Sequence, residues 1–270
     1  MREFVARPEH GVVWISGASS GIGRALALKL AGEGYKVAAT APSHDKLVDL
    51  QSEAAGLSGS IIVLDGDVTN AEDMEHTVAA IEYQHGSLGM AILNAGVCLP
   101  VHGDALRRED FRRSFDVNLG GAVNCLVPAV RLMKTQGHGQ IVIVSSAAGY
   151  GGLPGSAAYG ASKAALIHMA ESLKFDLDKL GIRIQVVTPG FVGSTVGGFP
   201  MAAPLAPEDA AEKIAAGLKG QAFEIAFPAN LALRMKLLKL LPYKFYFPAV
   251  ARWAEKTLSG NHHAKPHPAE

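Results

Sequence analysis

Val12-Val13-Trp14-Ile15-Ser16-Gly17-Ala18-Ser19-Ser20-Gly21-Ile22-Gly23-Arg24-Ala25-Leu26-Ala27 carries the strongest structural signal in the chain. An apolar run, Val12–Ile15, meets a glycine-rich turn, and a helical pattern opens directly after it. Gly17 permits a tight exit from a strand. Gly21 and Gly23 let a pyrophosphate approach backbone N–H groups and let the helix pack close to a sheet. A glycine turn alone could be an ordinary strand–helix connection. Its position after the first strand of a β/α alternation favours a dinucleotide site, with Ser19, Ser20 and Ile22 in the same loop.

The alternation continues outward from this turn. Further apolar runs lie at Val37–Ala41, Ile61–Leu64, Met90–Leu93, Ile141–Val144, Ile184–Val187 and Phe223–Phe227. Most are rich in Val and Ile, as strands buried on both faces require. Helical patterns separate them at Ile22–Ala31, Asp45–Ala55, Ala71–His85, Arg108–Gln136, Ala157–Leu180 and Pro207–Leu218. The expected fold class is therefore α/β: a doubly wound, Rossmann-type parallel sheet of about seven strands with helices on both faces. No linker interrupts the pattern, so residues 1–258 read as a single domain. Within it, 229–258 forms a basic, apolar C-terminal segment, and 259–270 reads as a disordered tail.

Composition limits the function. The chain has 270 residues, 49% of them hydrophobic and 19% charged, which excludes a disordered protein. Lys+Arg and Asp+Glu are both 25, so the basic excess of a nucleic-acid binder is missing and no nucleic-acid partner is expected. Two cysteines give one bridge at most, and no metal site is suggested; a reducing, cytoplasmic location fits. The start, MREFVARPE, reads as lacking a signal peptide.

Tyr159 and Lys163 fall four residues apart, on one helical face. A tyrosine is a poor acid–base group at neutral pH until a cation one turn away lowers its pKa, so the pair is a candidate general acid/base. Ser146 closes the strand Ile141–Val144, at the carboxyl end where open α/β sheets bind ligands. Its neighbour Ser145 reads as a helix or turn cap. Asn94, Ala95 and Gly96 end another strand, and Asn118 is a polar residue among apolar neighbours in a long helical segment, which needs a partner.

In this order the motifs resemble the short-chain dehydrogenase/reductase family. That family carries T-G-x-x-x-G-x-G, N-A-G, N-x-x-G, S-S-x-A-G, Y-x-x-x-K and P-G. Here Ser16 stands for the Thr, and the last motif is Pro189-Gly190-Phe191-Val192. The resemblance covers about Val12 to Phe227. It implies a homodimer or homotetramer that transfers a hydride between NADP(H) or NAD(H) and a carbonyl/alcohol pair. By the same resemblance Tyr159 is the general acid, Lys163 lowers its pKa and binds the nicotinamide ribose, and Ser146 donates to the substrate oxygen. Asn118 holds a helix irregularity and a water. Asp67 and Val68 meet the adenine, and Val192 and Ser194 belong to the cofactor loop. A non-catalytic nucleotide-sensing regulator is the rival from another class, and an NAD-linked alcohol or hydroxysteroid dehydrogenase the rival enzyme.

Ala41 occupies the position where an NAD enzyme ends its second strand with an acid, which favours NADP; the nearby candidate donors are Ser19, Ser20, Ser43, His44, Arg24 and Lys46. Val97, Cys98, Tyr150, Leu153, Phe191 and Phe199 suggest an apolar pocket, and Phe191–Pro207 reads as a lid. Finally, Asn230–Trp253 is leucine-rich and aromatic, with five basic residues and no acid between Glu224 and Glu255. Such a segment suits contact with a membrane surface. A helix pair whose leucines pack on the protein or on a neighbouring subunit is the preferred reading.

Overall fold

A computed structural model describes residues 3–193, 195–196, 199–200 and 205–258. The strands are β1 (Val12–Ser16), β2 (Lys36–Thr40), β3 (Ser60–Val63), β4 (Leu88–Leu93), β5 (Gly139–Val144), β6 (Ile182–Pro189), the short pair β7 (Thr195–Val196) and β8 (Phe199–Pro200), and β9 (Glu224–Phe227). The seven main strands form one parallel sheet in the order β3-β2-β1-β4-β5-β6-β9. Strand order reverses between β1 and β4, and the crevice outside their carboxyl ends is where such sheets hold ligands.

Helices α1 (Gly21–Gly32), α2 (His44–Glu53) and α7 (Pro207–Leu218) cover one face; α3 (Ala71–His85), α5 (Gly121–Gln136) and α6 (Ala157–Leu177) cover the other. Central strands β4, β5 and β6 are buried along their whole length, which explains their unbroken apolar runs. The long segment expected over 108–136 is interrupted. Helix α4 (Arg108–Phe115) passes through a π-helical turn, Asp116–Gly120, before α5 begins. Beyond β9, two helices close the described chain: α8 (Ala229–Lys239) and α9 (Tyr243–Leu258). The tail 259–270 lies outside the described residues.

The C-terminal leucines do not pack on the chain's own fold, the first of the two packings expected for them. Leu233, Leu237, Leu240 and Leu241 are exposed, while α8 buries Ala232 and Met235. The inward face of α8 is set by small and flexible residues and by Lys236, which pairs with Glu224. Helix α9 buries Tyr246, Val250 and Ala254 instead of its phenylalanines.

Candidate active site

The glycine turn is held by close backbone contacts. Gly17 has φ +69°, and a Cβ there would stand 2.7 Å from Ala95 Cα. A Cβ on Gly23 would fall 2.3 Å from the Gly17 carbonyl oxygen and 2.5 Å from Asn94 Nδ2, so any larger residue would force α1 off the sheet. Gly23 thus serves the close packing of α1 against the sheet. Ser16 retains the use of a hydroxyl: its Oγ accepts from Asn94 N (3.1 Å) and Ala95 N (3.3 Å), tying the ends of β1 and β4. Asn94 returns the bond by donating to the Ser16 carbonyl at 3.0 Å.

Above this turn lies a cleft of about 950 Å³. Gly17, Ser19, Ser20, Gly21 and Ile22 line one end. Ser20 caps α1 without a side-chain bond to it, and a Cβ on Gly21 would meet no atom within 4 Å. The first-turn N–H groups of α1, which have no partner within the helix, therefore open on a cradle shaped for an anionic group. Asp67, Val68, Asn94, Ala95 and Gly96 line the next part of the cleft, and Pro189, Gly190 and Val192 close it. These residues and the volume fit an extended dinucleotide. Ser194, and the expected lid residue Met201, lie outside the described residues.

Tyr159, Lys163 and Ser146 meet at the other end. Helix α6 brings Lys163 Nζ to 5.8 Å from the centre of the Tyr159 ring. Lys163 is buried, and its ammonium donates to the Val144 carbonyl at 2.8 Å. Ser145, expected as a cap, instead donates to the Lys163 carbonyl at 2.7 Å and so clamps α6 to the end of β5. Ser146 has extended backbone, and its Oγ accepts from Ala148 N at 3.2 Å, while its hydroxyl is hydrogen-bonded to Tyr159.

Burial pushes the Tyr159 phenol up to about 12, outweighing the opposite pull of its hydrogen bond with Ser146; Cys98 nearby adds to the rise. Burial also pushes Lys163 down to about 8.

Asn118 sits in the π turn with its side chain fully enclosed. Its Oδ1 accepts from Val97 N (2.7 Å), and its Nδ2 donates to the Val97 carbonyl (3.0 Å) and to Ser162 Oγ (2.9 Å). It does not line the cleft; it fixes the Gly96–Val97 backbone against α6 from behind. Val97, Cys98, Leu153 and Phe191 line the cleft as expected. Tyr150 does not. It turns away and gives its one proton to the Glu224 carboxylate at 2.5 Å, with Thr188 Oγ1 2.7 Å from the phenol oxygen. Leu231, Met235 and Trp253 join the apolar wall unannounced, with Trp253 stacked on Phe191 at 6.2 Å between ring centres. Glu109, Arg112 and Arg113 of α4, with Asp116 just after it, add charges of both signs to the lining, which the helical pattern alone did not aim at the cleft.

Where β2 ends, Ala41 and Pro42 line the cleft. Of the expected donors nearby, Arg24 is paired with Glu53, and His44 Nδ1 lies 2.8 Å from Asp65. The two cysteines are not bridged.

Comparison with known proteins agrees with this geometry. The family described as short chain dehydrogenase matches residues 11–199. An uncharacterized oxidoreductase of Myxococcus xanthus is 35% identical over 251 residues, covering 92% of this chain and 99% of the relative. The 3-oxoacyl-(acyl-carrier-protein) reductase FabG of Thermotoga maritima is 34% identical, covering 82% and 89%. Among solved structures, an alcohol dehydrogenase of Thermococcus sibiricus complexed with 5-hydroxy-NADP superposes with TM-score 0.72 at 26% identity, covering 80% of this chain and 95% of that one. A short chain dehydrogenase/reductase of Burkholderia phymatum in complex with NAD shares the fold, with TM-score 0.77 at 23% identity over 88% and 94% of the two chains. With its glycine cradle, its Tyr–Lys helix and its seven-stranded sheet, the chain belongs to the short-chain dehydrogenase/reductase family and is an oxidoreductase acting on a CH–OH/C=O pair.

Proposed function

We propose that the protein reversibly reduces an apolar carbonyl compound with NADP(H), and that Tyr159, Ser146 and Lys163 do the chain's share of the chemistry. The observation that carries this reading is their meeting at one end of a cleft whose other end is the glycine cradle. When bound, the dinucleotide supplies the hydride. With its phenol pushed up to about 12, Tyr159 is protonated at neutral pH and holds the proton that a reduced carbonyl oxygen must receive. Ser146 donates to the same oxygen as charge grows on it. Lys163 lies against the tyrosine ring and anchors it to β5 through the Val144 carbonyl. Asn118 acts as a positioning residue. The apolar wall of Val97, Leu153, Phe191, Leu231 and Met235 supports a lipophilic substrate. A panel of ketones and aldehydes, followed by absorbance of the reduced nicotinamide, tests the reading. Cofactor binding without turnover on any of them would favour the sensing regulator.

The choice of NADP rests on Ala41, whose methyl lines the cleft where a carboxylate would accept from a ribose 2′-hydroxyl. Ala41→Asp is expected to lower the NADP:NAD ratio of kcat/KM by about 100-fold, or ~2.7 kcal/mol. A wild-type enzyme that already prefers NAD overturns the assignment before the variant is made.

The proposal includes a homo-oligomer built on α5 and α6. Leu166 and Ala170 of α6 face the sheet, yet Phe175 is 74% exposed and Val127 of α5 is 49% exposed. An apolar outer face on a helix that already covers a sheet needs a second partner. Light scattering at micromolar concentration is expected to give at least a dimer, and Val127→Arg is expected to weaken it; a monomeric wild-type mass refutes the interface.

A further inference from the structure

Among the described residues, the C-terminal hairpin of α8 and α9 carries the densest group of exposed large apolar side chains. Leu233, Leu237, Leu240, Tyr243, Phe245 and Phe247 all face outward, with Leu240 79% and Phe247 62% exposed. The inner side of the hairpin is fastened to the fold. Lys236 pairs with Glu224 and lies 5.1 Å from the Tyr150 ring centre, and Tyr246 donates to the Gly152 carbonyl at 2.9 Å. The outer side therefore belongs to a rigid, anchored element that presents an apolar face.

The charge on this face has one sign. Arg234, Lys239, Lys244 and Arg252 are exposed there, and residues 225–254 contain no acid. Lys239 and Lys244 lie over the aromatic rings of Tyr243 and Phe245, at 5.5 and 4.8 Å from the ring centres. Aromatic, aliphatic and cationic groups side by side are what the headgroup boundary of a bilayer accommodates: rings and leucines enter the acyl edge while ammonium and guanidinium groups reach lipid phosphates. A second copy of this chain would bring the same four cations against themselves across a two-fold axis, which disfavours self-association through this face. No helix among the described residues is long and apolar enough to cross a membrane, so contact would be with the surface.

We propose that the exposed face of the α8–α9 hairpin docks the protein on an anionic lipid bilayer. The inner residues of the same hairpin, Leu231, Met235 and Trp253, line the cleft, so docking brings the cleft's apolar wall close to the bilayer. The proposal stands on the exposed face alone and does not rest on the assigned chemistry.

The test uses the full chain and extruded vesicles of phosphatidylcholine with about 30 mol% phosphatidylglycerol, beside vesicles of phosphatidylcholine alone. Co-sedimentation is expected at low salt with the anionic vesicles, roughly tenfold weaker with the neutral ones, and to fall as salt screens the cations. Leu240→Glu with Phe247→Glu, and separately Lys239→Glu with Lys244→Glu, should each weaken binding by about tenfold or more with the melting temperature unchanged, because all four side chains are on the surface. Three results overturn the proposal: no co-sedimentation with anionic vesicles at low salt, equal binding to neutral vesicles unaffected by the lysine changes, or an oligomer that falls apart in Leu240→Glu with Phe247→Glu while the wild type ignores vesicles.

Discussion

Tyr159→Phe is expected to lower kcat by about 10²–10⁴-fold, the range that a positioned general acid contributes, and to leave cofactor affinity within about twofold. The substitution removes one oxygen and keeps the ring against Lys163. Ser146 keeps its bond from Ala148 N, so the turn after β5 is undisturbed. In the proposed mechanism the phenolic proton is needed only as the substrate oxygen gains charge, so the loss belongs in kcat and not in binding. The raised pKa gives the effect a sign in pH as well. A phenol pushed up to about 12 is ready to donate throughout the neutral range, so carbonyl reduction by the wild type should vary little there. Alcohol oxidation needs the deprotonated form and should rise by up to about tenfold per pH unit. Near wild-type kcat in the variant, or oxidation that falls with rising pH, removes Tyr159 from its role.

Lys163→Met is expected to abolish turnover and at the same time to stabilise the protein. Burial holds Lys163 at about 8 against its ordinary 10.5, so the folded state keeps a cation where water is excluded. That shift corresponds to a cost on the order of 3 kcal/mol at neutral pH. Methionine fills a similar volume without charge, and the Val144 carbonyl loses one donor, which offsets about 1 kcal/mol. The net gain should raise the melting temperature of the cofactor-free protein by about 4–6 °C at pH 7. Between about 8 and 10.5 the folded chain binds fewer protons than the unfolded chain at this site, so the wild type gains stability as pH rises through that window. The advantage of the variant must shrink over the same window and turn into a deficit of about 1 kcal/mol above it, where only the lost bond to Val144 remains. A melting temperature below that of the wild type at pH 7, or a difference independent of pH, contradicts the account; retained turnover contradicts the assigned role.

Local rules were enough to place the sheet and the chemistry on it. A strand buried on both faces must be apolar along its length, and a helix on a sheet must repeat at its own period, so seven runs and six helical stretches were legible without contacts. The bounds of Ala71–His85 and Pro207–Leu218 agree to the residue, and those of the other expected elements to within a few residues, except that the single helix expected over 108–136 is broken by the π turn at Asp116–Gly120. The glycine turn stood out by its place after the first strand, whereas Ser146, Tyr159 and Lys163 became candidates only as members of an ordered set of motifs, since a Tyr and a Lys four apart occur often by chance. Direction was not legible. Whether Tyr150 faces substrate or Glu224, whether Ser145 caps or clamps, and whether Asn118 lines the cleft or braces it depend on partners 18 to 74 positions away. Arg183, buried in β6 beside Glu3, belongs with them, since nothing local tells an arginine that the chain's start will cover it. Burial of the Tyr159–Lys163 pair belongs here too: spacing puts a cation near a phenol, and only the packed structure withdraws both from water. The C-terminal leucines make the complementary point. An amphipathic pattern states that a face is apolar; only the tertiary structure, by filling the inner side with Ala232, Met235 and Tyr246, decided that the leucines would be left outside.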